Sequence, residues 1–366
     1  GAPISCDDGT DCTVDTCSKG DGCTYSPAKT DGKTLCSCKE PDNVGGQGSS
    51  YAALSTNGYT KYVAGTLPII LTSPHGGPLK PAQIPDRTYG VTGNDSNSRE
   101  TTWLIARELA LATGRLPHVV INRLARIKLD ASREIKEAAQ GNAEAEAAYK
   151  AFHDAIATAR SDVQSRCGKG LYLDMHTNGH AEKWVELGYL LSASKLGSTD
   201  STLDSQANVN ASSLRSLATW SGKSLSSLVR GPQSFGALLA AKQIVAVPSP
   251  KQLSPAGGGY FSGGYNTQLY GSKKGGFVDG VQVETHFSYM AKDADRQQYA
   301  KHVAAAILSW LNVHYGIDPV DKTFVPPSNT TCAKAAKLDF LAGIADAAGT
   351  TTWAADEFDN KVSCGR

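Results

Sequence analysis

Three short apolar runs, each ending in a histidine, constrain this chain more than any other feature. The first is Leu67-Pro68-Ile69-Ile70-Leu71, which stops at Ser73-Pro74 and passes straight into His75-Gly76-Gly77. The second is Gly170-Leu171-Tyr172-Leu173-Asp174-Met175-His176, and the third is Gly280-Val281-Gln282-Val283-Glu284-Thr285-His286. Each is too short for a helix and rich in aliphatic or β-branched residues, which predicts a buried strand. Strand ends on one edge of an α/β sheet converge, and such proteins carry their chemistry there. Two histidines and a glutamate gathered on that edge suit a zinc hydrolase. Asp174 lies two residues before His176, so both side chains share a strand face, and the carboxylate is expected to orient the imidazole. His180 and His286, at the same strand ends, stand as alternative ligands. Gly76 and Gly77 are expected to turn the backbone and leave room for a ligand.

The rest of the chain alternates helix and strand around these runs. Glu100–Ala110 reads as an amphipathic helix capped by Ser96 or Ser98 and ended by Gly114. Glu100 falls in its first turn, where it either complements the helix dipole or supplies a third metal ligand; Asp95 competes for that role. His118–Ile121 is a strand. The stretch after it carries Arg123, Arg126, Lys128 and Arg133, a basic set suited to an anionic substrate. Residues 134–160 form a helix broken near Gly141, and Val185–Leu191 is a further strand. The Ser-rich span 192–258 is read as mostly loop, with one helix at Ser234–Lys242. A glycine-aromatic loop, Gly257–Tyr265, is placed to wall a pocket through Gly264 and Tyr265, with Asn178 beside it. Asp293–Tyr315 closes the domain as a helix. The expected fold is α/β, a mixed, mostly parallel sheet flanked by helices, over residues 46–315.

Composition bounds the partners. Net charge is +1 with no Lys/Arg cluster, which argues against nucleic acid. No apolar run is long enough to span a bilayer. The expected partner is a small-molecule or peptide substrate. Six of the nine cysteines lie in the first forty residues, which have almost no aliphatic side chains. That predicts a small disulfide-rich module over residues 1–45, made in an oxidising compartment. The stretch Cys6–Cys23 resembles the small Cys-Asp-Gly modules of secreted multidomain proteins. Asn-x-Ser/Thr sequons at Asn94, Asn210 and Asn329 permit glycosylation and fit secretion. Residues 316–366 read as a tail closed by a Cys332–Cys364 disulfide. The odd cysteine is expected to be Cys167, a buried free thiol.

Five motifs in order resemble the N-formylglutamate amidohydrolase family. They are Ser73-Pro74-His75-Gly76-Gly77, then Arg126 with Asp130-Ala131-Ser132-Arg133, then Asp174-Met175-His176, then Gly263-Gly264-Tyr265, then Gln282-Val283-Glu284 with Tyr289-Met290. The resemblance spans residues 65–315. It implies the zinc carboxypeptidase-like α/β fold and metal-dependent amide hydrolysis. By it, His75 and His176 are zinc ligands with Glu100 as the acidic third, and Glu284 is the general base. Arg133 would hold a substrate carboxylate or the developing oxyanion, and Arg126, Asn178, Gly264 and Tyr265 would line the substrate site. Asp-Ala-Ser-Arg stands where the family has Asp-x-Asn-Arg, so the resemblance carries the fold and chemistry and not the exact substrate. The other readings are hydrolysis of an ester or a cell-wall peptide on this fold, and a non-catalytic extracellular binding or matrix protein on the same scaffold.

Overall fold

The computed structural model describes residues 13–18, 22–27, 38, 52–317 and 319. Strands β1 (Thr13–Ser18) and β2 (Gly22–Pro27) pair antiparallel in a sheet of their own. The remaining strands are β3 (Ala52–Leu54), β4 (Thr60–Val63), β5 (Ile69–Ser73), β6 (His118–Asn122), β7 (Gly170–Asn178), β8 (Val185–Gly188), β9 (Ala246–Val247) and β10 (Val278–His286). They form one sheet in the order β3-β4-β6-β5-β7-β10-β8-β9. The central run β6-β5-β7-β10 is parallel throughout, while β3, β4 and β8 join antiparallel neighbours. The fold is therefore a mixed, mostly parallel α/β sheet with helices on both faces.

Side-chain alternation divides the core in two. Odd positions of the central strands, Ile69, Leu71, Val119, Ile121, Leu171, Leu173, Val281 and Val283, pack with Trp103, Leu109 and Val303 on one face. Even positions, Ile70, Val120, Tyr172 and Val278, pack with Phe152, Ile156 and Val163 on the other. Each fully buried aliphatic chain contributes about 1.5–3 kcal/mol. The even face changes character along the strands. Ile70 gives way to Thr72, Tyr172 to Asp174 and His176, and Val278 to Gln282 and Glu284. Polar groups thus collect on one face at the carboxyl ends.

Connectivity explains why they collect there. The chain leaves β5 through the helix Ser98–Thr113 to β6 on one side, then crosses through the helix Ala143–Cys167 to β7 on the other. Right-handed crossovers in opposite directions place these helices on opposite faces. The crevice between β5 and β7 is the switch point, where α/β sheets bind ligands.

Several expectations need correction. Val185–Leu191 is a strand only to Gly188. The helix of residues 98–113 has Asn97 at its N-cap with no side-chain cap bond, and Ser98 is its first residue. The Ser-rich span holds six short helices between Ala193 and Ala240. Four of its serines and threonines are caps rather than loop filler: Ser192, Thr199, Ser224 and Ser234 each accept a backbone N–H of the first turn. Cys167 is not a free thiol. It ends the helix Ala143–Cys167 and is bonded to Cys38, which ties the end of the expected N-terminal module to the main sheet domain. The Cys332–Cys364 closure lies outside the described residues. Among the described residues no helix is long and apolar enough to cross a membrane.

Asp279 on β10 yields a stability prediction. Its carboxyl is fully buried, and desolvation pushes it up to about 7, against weaker lowering by Ser272, the Leu217 N–H and Tyr315. Between about pH 4 and pH 7 the folded state then holds a proton that the unfolded chain has lost. Stability falls as pH rises through that window, by on the order of 4 kcal/mol in total. Asp279→Asn, which mimics the neutral carboxyl, is expected to flatten this slope and raise the neutral-pH Tm. An unchanged slope in thermal melts across pH 4–7 would contradict it.

Candidate metal centre

His75 follows β5 directly, and His176 sits on β7 next door. Asp95 comes from the loop between them and the helix at Ser98. Its N–H donates to the His75 carbonyl, and its own carbonyl accepts from the Ser98 N–H and Oγ. The three side chains meet head to head. His75 Nδ1 lies 3.2 Å from His176 Nδ1, and Asp95 Oδ2 lies 3.4 Å from the first and 2.9 Å from the second. All three residues are buried.

The outer nitrogens are held by a second ring of carboxylates. His75 Nε2 is 2.6 Å from Asp130 Oδ1, and His176 Nε2 is 2.9 Å from Asp174 Oδ2. A buried carboxylate in this setting only accepts, so each Nε2 carries the proton and each Nδ1 presents a lone pair. With both rings neutral, two lone pairs and a carboxylate oxygen face one another at contact distance, an arrangement that calls for a cation, a metal ion or, without one, a proton. This donor set fits a metal ion: the ligating atoms of His75, Asp95 and His176 all lie within 4.8 Å of each other. The charges agree. Burial alone would raise Asp95, Asp130 and Asp174. The imidazoles beside them, with Arg126 at Asp130 and Thr72 at Asp174, more than offset this and hold all three below the usual carboxylate range. For His176 burial acts downward, but Asp174 and Asp95 push it well above the ordinary histidine value, so without a metal its Nδ1 also holds a proton facing Asp95, which a bound metal ion would displace.

The outer ring is itself braced. Asp130 takes Arg126 Nε at 2.9 Å and the Ser132 N–H at 3.1 Å. Asp174 takes Thr72 Oγ1 at 2.6 Å. Asn94 Oδ1 accepts the Arg126 N–H, and its Nδ2, the atom a glycan would occupy, donates to the Gly77 carbonyl. The glycines after His75 do not open space for a ligand. A Cβ on Gly76 would strike Arg99, and one on Gly77 would strike the Arg123–Leu124 backbone. They let the turn after His75 pack tightly against the start of the helix at Ser98 and the Arg123–Leu124 backbone.

Glu284 stands beside this centre because of register. It is the Cα partner of His176 on β7 and of Glu186 on β8, so all three side chains share one face. Its Oε1 accepts Gln282 Nε2 at 2.7 Å, and its Oε2 makes no hydrogen bond among the described residues. Burial raises its carboxyl to about 7; His176 and Gln282 lower it, and Asp95 and Glu186 raise it.

The structure sorts the remaining sequence candidates. Glu100 is not among the converging ligands: its carboxylate pairs with Arg99 at 2.8 Å on the helix, and Asp95 takes the place beside the histidines. Arg126 braces Asp130 and lies 3.4 Å from Asp95 Oδ1, so its guanidinium is spent within the centre. Arg133 donates to the Ser132 carbonyl and lies 3.5 Å from Glu137, with its side chain 35% exposed. Asn178 donates to the Glu284 carbonyl and accepts the His180 N–H, a bond pattern that ties strand ends. Gly264 abuts Gln282 Oε1, and the Tyr265 hydroxyl accepts from Tyr149. His180 pairs with Glu186 and His286 with Ser288, so neither joins the metal group. The sequence assigns no site role to Asp130, Gln282 or Glu186, and reads Asn94 only as a glycosylation sequon. Asp130 and Gln282 stood inside motifs already singled out, and that was the available signal.

No protein-family model matches the sequence, and no curated protein matches it. Among solved structures, the chain is similar to the gene product Atu2144 from Agrobacterium tumefaciens at TM-score 0.42 and 13% identity, covering 67% of this chain and 90% of that one. It is also similar to N-formylglutamate amidohydrolase from Ralstonia eutropha JMP134 at TM-score 0.39 and 11% identity, covering 66% and 94%. Likenesses this distant carry no weight for activity, which rests on the site itself.

Proposed function

We propose that this chain is a zinc-dependent hydrolase that cleaves the amide bond of a small carboxylate-bearing N-acyl amino acid or peptide. The observation that carries the reading is the convergence of two imidazole lone pairs and a carboxylate, each imidazole backed by a buried aspartate, beside an unspent glutamate oxygen. Two histidines and one carboxylate are a donor set suited to catalytic zinc. Held by His75, Asp95 and His176, the ion supplies Lewis acidity and makes water acidic enough to deprotonate near neutral pH. Asp130 and Asp174 keep the imidazoles in the ligating tautomer. Glu284 Oε2 takes the proton of the attacking water, a task suited to a carboxyl near 7. By the motif resemblance, Arg133 would receive a substrate carboxylate once released from Glu137, while Arg126 is committed to the centre. Residence in an oxidising compartment is part of the proposal, and the Cys38–Cys167 disulfide supports it.

The test is a panel of N-formyl and N-acetyl amino acids and short peptides, run before and after chelation. Hydrolysis that disappears with chelator and returns with added zinc is expected. Activity indifferent to the chelator, or no hydrolysis by the zinc-loaded protein, would overturn the reading.

A further inference from the structure

One step beyond Glu284 in the same row lies a pair the reading above does not use. Glu186 on β8 is in register with Glu284, so its carboxylate rises from the same face one strand away, about 4.8 Å along the sheet. It is fully buried, and both its oxygens are committed. Oε1 lies 2.6 Å from His180 Nδ1, and Oε2 accepts the Phe261 N–H at 2.6 Å. Desolvation raises this carboxyl, and the imidazole pulls it back down.

His180 is held as firmly as its partner. Its ring stacks on Phe261 at 4.9 Å between centroids, and the glycine-aromatic loop passes so close that a Cβ on Gly259 would strike it. Trp184 Nε1 anchors that loop through the Gly259 carbonyl. With Nδ1–H fixed on Glu186, the working atom is Nε2, which has no hydrogen-bond partner among the described residues. The side chain keeps 31% of its surface exposed, so Nε2 is open to a ligand. The other charged and titratable neighbours are Glu182 and Lys183, in the same turn, and His286, on the end of β10. A buried carboxylate aligning an imidazole with a free, accessible Nε2 is the arrangement that makes histidine a directional proton donor or acceptor. A ring serving only to anchor the loop would gain nothing from that open nitrogen.

We propose that His180, aligned by Glu186, is a second catalytic residue and the acid that protonates the leaving nitrogen. The proposal rests on the hydrolase reading and divides its proton traffic. Glu284 takes a proton from water as oxygen bonds to the carbonyl carbon. His180 Nε2–H then passes its proton to nitrogen as the C–N bond breaks. Glu284 releases its proton to solvent, and solvent reprotonates His180, so one water and one amide give one acid and one amine.

The experiment compares zinc-loaded wild type and His180→Ala on N-acetylglutamate and on 4-nitrophenyl acetate. The two share an acyl group, but the ester's leaving group departs without a proton. His180→Ala is expected to lose about 100-fold or more in kcat on the amide, with little change on the ester. Added imidazole is expected to restore part of the amide activity. Equal losses on both substrates without rescue, or a rise in KM alone, would assign His180 to loop anchoring or binding and overturn the proposal. A His180→Ala protein that fails to fold is replaced by His180→Gln, read by the same ratio of amide to ester loss. Wild type inactive on both substrates and on the panel of N-acyl amino acids and short peptides would sink the hydrolase reading itself, and this proposal with it.

Discussion

Glu284→Gln is expected to lower kcat by at least about 1000-fold while leaving zinc content unchanged. The amide keeps the volume and can still bond Gln282, so the strand row from His176 to Glu186 stays packed. What it loses is the lone-pair basicity of Oε2, the one oxygen not already occupied. Glu284 must be ionised to act as a base. Burial has raised it to about 7, and a bound dication would pull that value down. The wild-type kcat/KM is therefore expected to rise with pH along an acid limb at or below about pH 7. A Glu284→Gln enzyme with most of its activity would remove this residue from the chemistry.

The second large effect separates two carboxylates five residues apart. Asp95→Ala is expected to abolish zinc binding and activity together. It removes one of three ligand atoms and leaves two imidazole lone pairs facing each other at 3.2 Å. Glu100→Ala is expected to leave both intact, since its carboxylate pairs with Arg99 on the helix. Asp130→Asn falls between. It keeps the ring in place but weakens the hold on His75 Nε2, and is expected to cost about 10–100-fold in zinc affinity. Competition with a chromophoric chelator measures all three. Loss of zinc in Glu100→Ala with retention in Asp95→Ala would reverse the assignment.

These contrasts show what the sequence could carry. Short apolar strands ending in histidine announced the edge of the sheet, and period-two spacing joined Asp174 to His176 correctly. Glu284 was legible for the same reason, since a strand position fixes a face. Asp95 was not separable from Glu100. A first-turn helical glutamate has a definite address in sequence, whereas a loop aspartate is positioned only once its N–H bonds the His75 carbonyl. Arg126 looked free for substrate because nothing local reveals that Asp130 and Asp95 converge on it. The serines of residues 192–240 looked like loop because the helices they cap are only four to six residues long, and composition averages over them. Cys167 looked unpaired because its partner Cys38 lies 129 positions away.

Zinc stoichiometry reads the centre of His75, Asp95 and His176 without passing through activity. Protein purified without chelators, as wild type and as His75→Ala/His176→Ala, would be compared by elemental analysis. About one zinc per chain in wild type and none in the variant is the predicted result. A wild type that takes up no metal even after zinc is added, or a double variant that keeps it, would contradict the account.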